Sequence, residues 1–81
     1  MILATVLTLC TLSCNDYVVD TATTQRDAAV NLVAHTQEMK RSWGDDAALN
    51  KLFTRYNVSE NAHTVQIWEI NTKNIPEDQI P

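Results

Sequence analysis

Five segments of the chain carry a regular pattern of apolar positions, separated by short polar connections. The first, residues 2–12 (ILATVLTLCTL), is apolar and rich in β-branched residues, which favour a strand. Residues 13–16 (SCND) are typical of a turn, because Ser, Asn and Asp side chains bond their own backbone. A second strand is predicted over residues 17–23 (YVVDTAT), so we expect the chain to open with a β-hairpin.

The middle of the chain has the spacing of two helices. Thr24 is the predicted N-cap of the first, which runs to about Trp43 and ends at Gly44. Asp45 or Asp46 then begins a second helix that runs to about Tyr56. The predicted core faces are Leu32, Thr36, Met39 and Trp43 in the first helix, and Leu49, Leu52, Phe53 and Tyr56 in the second.

A third strand is predicted over residues 63–71 (HTVQIWEIN), where Val65, Ile67, Trp68 and Ile70 favour extended backbone. Because proline cannot donate to a sheet, Pro76 and Pro81 predict that residues 75–81 form an extended tail after a single domain of residues 1–74. The order ββααβ predicts a small α+β fold with an antiparallel sheet and two helices. If the opening segment is cleaved, the order becomes βααβ.

The stretch LTLCTLSC (residues 7–14) resembles the end of a bacterial lipoprotein signal, with Ser13 preceding Cys14. The resemblance implies acylation of Cys14, loss of residues 1–13, and a periplasmic or outer-membrane protein that contacts a membrane protein. Two features depart from that pattern: no Lys or Arg precedes Arg26, and Thr stands at position 11, where such signals favour Leu. We therefore expect a retained hairpin and a cytoplasmic protein, with the envelope lipoprotein as the alternative.

Composition and charge narrow the class of partner. The chain is 44% hydrophobic with one Gly and two Pro among 81 residues, which argues for a folded domain with a small core. A formal net charge of −4 makes direct nucleic-acid binding unfavourable, because phosphates repel an acidic surface. The single glycine also leaves no Gly-rich loop that could cradle a phosphate.

Four side chains could in principle bind a metal or act as nucleophiles: Cys10, Cys14, His35 and His63. The two histidines lack the close H-x₃₋₅-H spacing of zinc sites. If Cys10 and Cys14 lie along one strand, they are roughly 13 Å apart, too far to share an ion or a disulfide, unless a turn at 13–16 closes the gap. Neither histidine is spaced to pair with a nucleophile and an acid. We expect Cys10 to be a small buried apolar residue, and no metal, cofactor or enzymatic activity.

Both faces of the predicted sheet carry apolar residues, whereas two helices cover only one face. We expect the other face to contact another protein or a second copy of the chain, since large apolar surfaces mark contact sites. The predicted partner-binding residues are Trp68 and Ile70, followed by Ile75 and Ile80 of the tail. The predicted function is that of a small acidic non-enzymatic binding protein, an inhibitor or adaptor of viral or mobile-element type. A structural subunit of a larger assembly is the further alternative.

Overall fold

The computed structural model describes residues 2–76 and residue 78. The described chain forms three strands, two helices and one short 3₁₀ turn in the order ββααβ, which confirms the predicted α+β fold. The elements are β1 (Ile2–Cys10), β2 (Cys14–Ala22), α1 (Gln25–Ser42), α2 (Asp46–Arg55), the 3₁₀ turn (Ala62–Thr64) and β3 (Ile67–Ile75).

The sheet is antiparallel with the strand order β2-β1-β3, so the first strand of the chain is its centre. β1 contains no charged residue, and four of its residues in succession, Ala4 to Leu7, are buried. A strand that is paired on both sides has no edge facing water, which suits this apolar sequence.

The core lies between one face of the sheet and the two helices. Leu7 and Leu9 of β1 are fully buried there, and α1 contacts all three strands. Tyr17 and Trp68 lie opposite these leucines on the flanking strands and pack against the same core. The helices, the loop after them and the 3₁₀ turn contribute Met39, Leu49, Leu52, Phe53, Tyr56, Val58, Ala62 and Val65.

Both helix starts agree with the capping residues that predicted them. The Thr24 Oγ1 atom accepts a hydrogen bond from the Asp27 amide at 3.1 Å, and the Asp45 carboxylate accepts one from the Ala48 amide at 3.2 Å. Gly44 separates the helices with a φ of 92°, a left-handed conformation that side chains disfavour.

The strand limits differ from the predicted ones at both ends of the sheet. β1 ends at Cys10 and β2 begins at Cys14, because the turn between them occupies only residues 11–13. β3 begins four residues later than predicted, since the Asn61 side chain accepts from the His63 amide at 2.9 Å and caps a 3₁₀ turn there. It continues to Ile75, which pairs with Ile2, and stops before Pro76.

The central position of β1 can be tested with Leu7→Ala. Removing this fully buried side chain should lower the free energy of unfolding by about 2–5 kcal/mol, measured by urea denaturation. Val33→Ala on the exposed side of α1 is the control and should change it by no more than about 0.5 kcal/mol. Equal losses in the two variants would contradict the described core.

Candidate functional site

Three of the four predicted partner-binding residues, Trp68, Ile70 and Ile75, lie on the edge strand β3, but on different parts of it. Trp68 is opposite Leu9 and Ile70 is opposite Leu7, so both side chains point to the face that the helices cover, and both are partly buried. The uncovered face expected from the sequence is therefore lined by other residues. Ile75 is partly buried at the far end of the strand, and Ile80 lies outside the described residues. Contact of these residues with a partner stays a prediction.

Trp68 has a neighbour that the sequence pattern assigned to the core. Trp43, at the end of α1, lies with its ring centroid 6.4 Å from that of Trp68, and its residue is 40% exposed. The Trp43 amide donates to the Met39 carbonyl at 2.8 Å, which fixes the position where the helix ends. The helical spacing indicated the side of α1 correctly but not how far the ring reaches beyond the core.

A surface cavity of about 250 Å³ adjoins Trp43. Leu49, Ala62 and Val65 give it an apolar lining, and Asp46 and His63 add polar groups. The His63 Nδ1 atom lies 3.4 Å from an Asp46 carboxylate oxygen. We call the two tryptophans and this cavity the tryptophan-pair surface.

Two further apolar side chains are exposed at the same end of the sheet. Leu12 lies in the β1–β2 turn and is fully exposed, and Ile67, at the start of β3, is 64% exposed. Ile67 pairs with Cys10, next to the pairing of Trp68 with Leu9. Trp43, Leu12 and Ile67 thus expose apolar surface at one end of the sheet, where a macromolecular contact is physically favoured, whereas Val18, Val30 and Val33 are exposed elsewhere.

A polar network that was not predicted from the sequence is centred on His35. Its Nε2 atom donates to Asp20 at 2.7 Å, and its Nδ1 atom lies 2.8 Å from the Tyr56 hydroxyl and 3.1 Å from Glu38. The Arg55 guanidinium donates to the other Glu38 carboxylate oxygen. These five residues connect β2, α1 and α2.

A β-bulge makes the contact between Asp20 and His35 possible. The β1–β2 register pairs Val6 with Val18 but Thr5 with Asp20, so Val19 is an extra residue. If the register set by Val6 and Val18 continued without the bulge, Val19 would pair with Thr5, and Asp20 would lie opposite Ala4 and point to the other face of the sheet. Nothing in the sequence marks the bulge, which explains why the network was not predicted.

The network supports structure rather than an activated nucleophile. Burial, reinforced by the nearby Glu38 carboxylate, raises the pKa of Tyr56, so its hydroxyl keeps its proton at neutral pH. Burial alone would raise the pKa of Glu38, but the hydrogen bond and charge of Arg55, together with His35, lower it below its ordinary value. A protonated phenol and an ionised carboxylate satisfy one another in this partly buried position.

The two cysteines form a disulfide and Cys10 is only partly buried, so the prediction that Cys10 is a small buried apolar residue was wrong. Cys10 and Cys14 occupy the last and first positions of adjacent strands and lie directly opposite each other, with a Cα–Cα distance of 4.0 Å. The separation of roughly 13 Å expected for Cys10 and Cys14 holds only if both residues lie along one strand. The three-residue turn reverses the chain between them instead.

This arrangement bears on the lipoprotein alternative. Acylation would require a free Cys14 and removal of residues 1–13, which include the whole of the central strand. Acylation of Cys14 stays a prediction, and it implies a mature fold different from the one described. No helix within the described residues is both long and apolar enough to cross a membrane.

The described part of the chain contains no group of three or more His, Cys, Asp and Glu side chains placed to hold a metal ion. Cys10 and Cys14 are used in the disulfide, His35 is held by the network and His63 is near Asp46. Comparisons with protein-family models, curated proteins and solved structures give no significant match to the chain.

The Glu38–Arg55 pair should make the free energy of unfolding depend on pH in the acidic range. Because the folded pKa of Glu38 is lowered, its stabilisation is present above its ordinary pKa of 4.5 and is lost as the pH falls through the folded value. Glu38→Gln should be less stable at neutral pH and show a shallower decline in unfolding free energy below about pH 4.5, measured by urea denaturation at a series of pH values. Arg55→Ala should reproduce the shallower decline. A wild-type slope in both variants would refute this role of the pair.

The disulfide can be tested by alkylation of the purified full chain. Without reductant, iodoacetamide should leave both cysteines unmodified, and after reduction in denaturant it should modify both, as measured by intact mass. Cys10→Ser provides the control, because its unpaired Cys14 should react before reduction. Modification of both wild-type cysteines without reductant would show that the disulfide is absent.

Proposed function

We propose that the protein is a non-enzymatic binding protein, an inhibitor or adaptor that contacts another protein through the tryptophan-pair surface. The observation that carries the proposal is the partly exposed Trp43 ring beside Trp68 and an open cavity with both apolar and polar lining residues. Tryptophan is enriched among the residues that dominate binding energy in protein interfaces, because it buries a large rigid area at a small entropic cost.

The chemistry of the surface suggests what the partner presents. The apolar lining formed by Leu49, Ala62 and Val65 suits one aliphatic or aromatic side chain of the partner. Asp46 beside the cavity and the net charge of −4 favour a basic rim around that side chain. The partner is thus proposed to be a protein with an apolar anchor surrounded by Lys or Arg.

The compartment is part of the proposal. The compartment expected from the sequence was the cytoplasm, where glutathione and thioredoxin keep most cysteine pairs reduced. The Cys10–Cys14 disulfide supports an oxidising compartment instead. We therefore propose that the protein acts where the disulfide persists, and the thiol state of the protein isolated from its host without reduction tests this directly.

The binding proposal is tested by Trp43→Ala. A partner captured by cross-linking in the native host and then purified should bind the variant about thirtyfold more weakly than the wild type in a calorimetric titration, the effect of losing about 2 kcal/mol at a binding hot spot. The main reason is the loss of the aromatic area that the partner covers.

Val33→Ala is the matched control, because Val33 is an exposed apolar residue of the same helix, outside the tryptophan-pair surface. It should bind like the wild type. Urea denaturation of both variants separates lost contact from lost folding. Wild-type affinity in the Trp43→Ala variant, with the fold intact, would reject the proposed surface.

A further inference from the structure

The outer edge of β3 has the properties of a pairing site. β3 is bonded to β1 along all nine of its residues without a register shift, and β1 is its only neighbour in the described sheet. The backbone groups on its other side therefore point away from the sheet. Residues 71–74 and Glu69 are exposed along it. A regular edge of this length is a template for another strand.

We propose that β3 pairs with β3 of a second copy of this chain, antiparallel and with Asn71 at the twofold axis. The axis is perpendicular to the sheet, so the two three-stranded sheets join into one with the order β2-β1-β3-β3-β1-β2. Nine residue pairs would contribute about eight to ten backbone hydrogen bonds, because alternate pairs exchange two bonds each.

Charge complementarity favours a second copy of the chain as the partner of this edge. In a pairing centred on Asn71, Glu69 lies opposite Lys73 of the second copy, and Lys73 lies opposite Glu69 of the second copy. Ile67 and Ile75 face each other in the same way at the two ends. On this face of the joined sheet each charge meets its opposite and each end meets an apolar residue, which are the favourable cross-strand pairs.

The pattern also selects the register. A pairing centred on Ile70 places Lys73 opposite Ile67, and one centred on Thr72 places Glu69 opposite Ile75. In each case a charge loses its partner and faces an isoleucine. Only the pairing centred on Asn71 combines both ion pairs with full use of the strand.

The other edge of the sheet lacks this property. β2 contains the bulge at Val19, which interrupts a regular ladder. β2 also carries two acidic residues, Asp16 and Asp20, and no basic residue, so a self-pairing of this strand forms no ion pair. The complementarity therefore belongs to β3 and not to edge strands of this sheet in general.

The existing contacts of the two charged residues are compatible with the pairing. The Lys73 ammonium donates to Asp16 at 3.3 Å across the open face, between side chains that are about half exposed. Asp16 and the second copy lie on opposite sides of β3, so pairing of Lys73 with Glu69 of the second copy replaces this contact, and an exposed ion pair of this kind contributes little to stability. Glu69 accepts a hydrogen bond from Asn71 at 3.0 Å and has remaining acceptor capacity.

Charge reversal tests the proposal with the full chain. Sedimentation equilibrium of the wild type should show a concentration-dependent dimer. Glu69→Lys and Lys73→Glu should each weaken dimerisation about tenfold or more, since each variant converts both ion pairs into like-charge pairs. Lys51→Glu on α2 makes the same charge change as Lys73→Glu, but away from the edge, and should leave the dimer unchanged.

A mixture of the two single variants separates the proposed register from general loss of folding. One variant then presents lysine at both positions and the other presents glutamate at both, so a mixed dimer regains both ion pairs. Equimolar mixing should restore association to near the wild-type strength, and so should the double variant E69K/K73E.

Three outcomes would overturn the proposal: a wild type that is monomeric up to its solubility limit, a dimer that the single reversals do not weaken, or a mixture of them that does not recover. Trp68 belongs both to β3 and to the tryptophan-pair surface, whereas Trp43 is not part of the β3 edge. Trp43→Ala should therefore leave the dimer intact, whatever its effect on the binding of another protein.

Discussion

The fold depends on one strand that is bonded on both sides. β1 supplies the ladder for β2 and for β3, and its Leu7 and Leu9 side chains are fully buried beneath the helices. Without this strand the other two have no neighbour in the described sheet, and the helices lose the surface on which they pack. In a chain of this size, where the core is small, little else could replace those contacts.

The remaining features follow from how the flanking strands attach to β1. The bulge in β2 turns Asp20 towards the helices, where it bonds His35 and joins β2 to α1 and α2. The pairing of β3 with β1 is unbroken, and it leaves a regular edge along which Glu69 and residues 71–74 are exposed. One edge is thus bent and carries two acidic residues, whereas the other is regular and carries both signs of charge.

The features of the fold that could be predicted from the sequence are those that local chemistry determines. The helix starts at Thr24 and Asp45, the left-handed Gly44 and the order of strands and helices all follow from nearest-neighbour effects and side-chain periodicity. The features that were missed depend on the register in which the strands pair. Cys10 and Cys14 face each other because the turn between them has only three residues. Asp20 contacts His35 because β2 contains an extra residue that no sequence pattern predicts.

The candidate contact surfaces also combine residues that the sequence identifies with residues that only the tertiary structure brings together. Trp68 was identified as a contact residue from its type, but the sequence could not reveal that Trp43, twenty-five positions earlier, lies beside it. Similarly, Glu69 and Lys73 are inconspicuous in the sequence until the structure places them on the free edge of a sheet. Exposure at a particular edge or corner results from tertiary packing, which periodicity does not encode.

The most direct test of this account is amide hydrogen exchange of the full chain, measured residue by residue by NMR. If β1 is the centre of the sheet, its amides from Thr5 to Leu9 should all exchange slowly, near the rate of global unfolding, because each one is bonded to β2 or to β3. β2, an edge strand, should show alternating slow and fast amides. Fast exchange throughout β1, with α1 and α2 still protected, would contradict the central role of this strand.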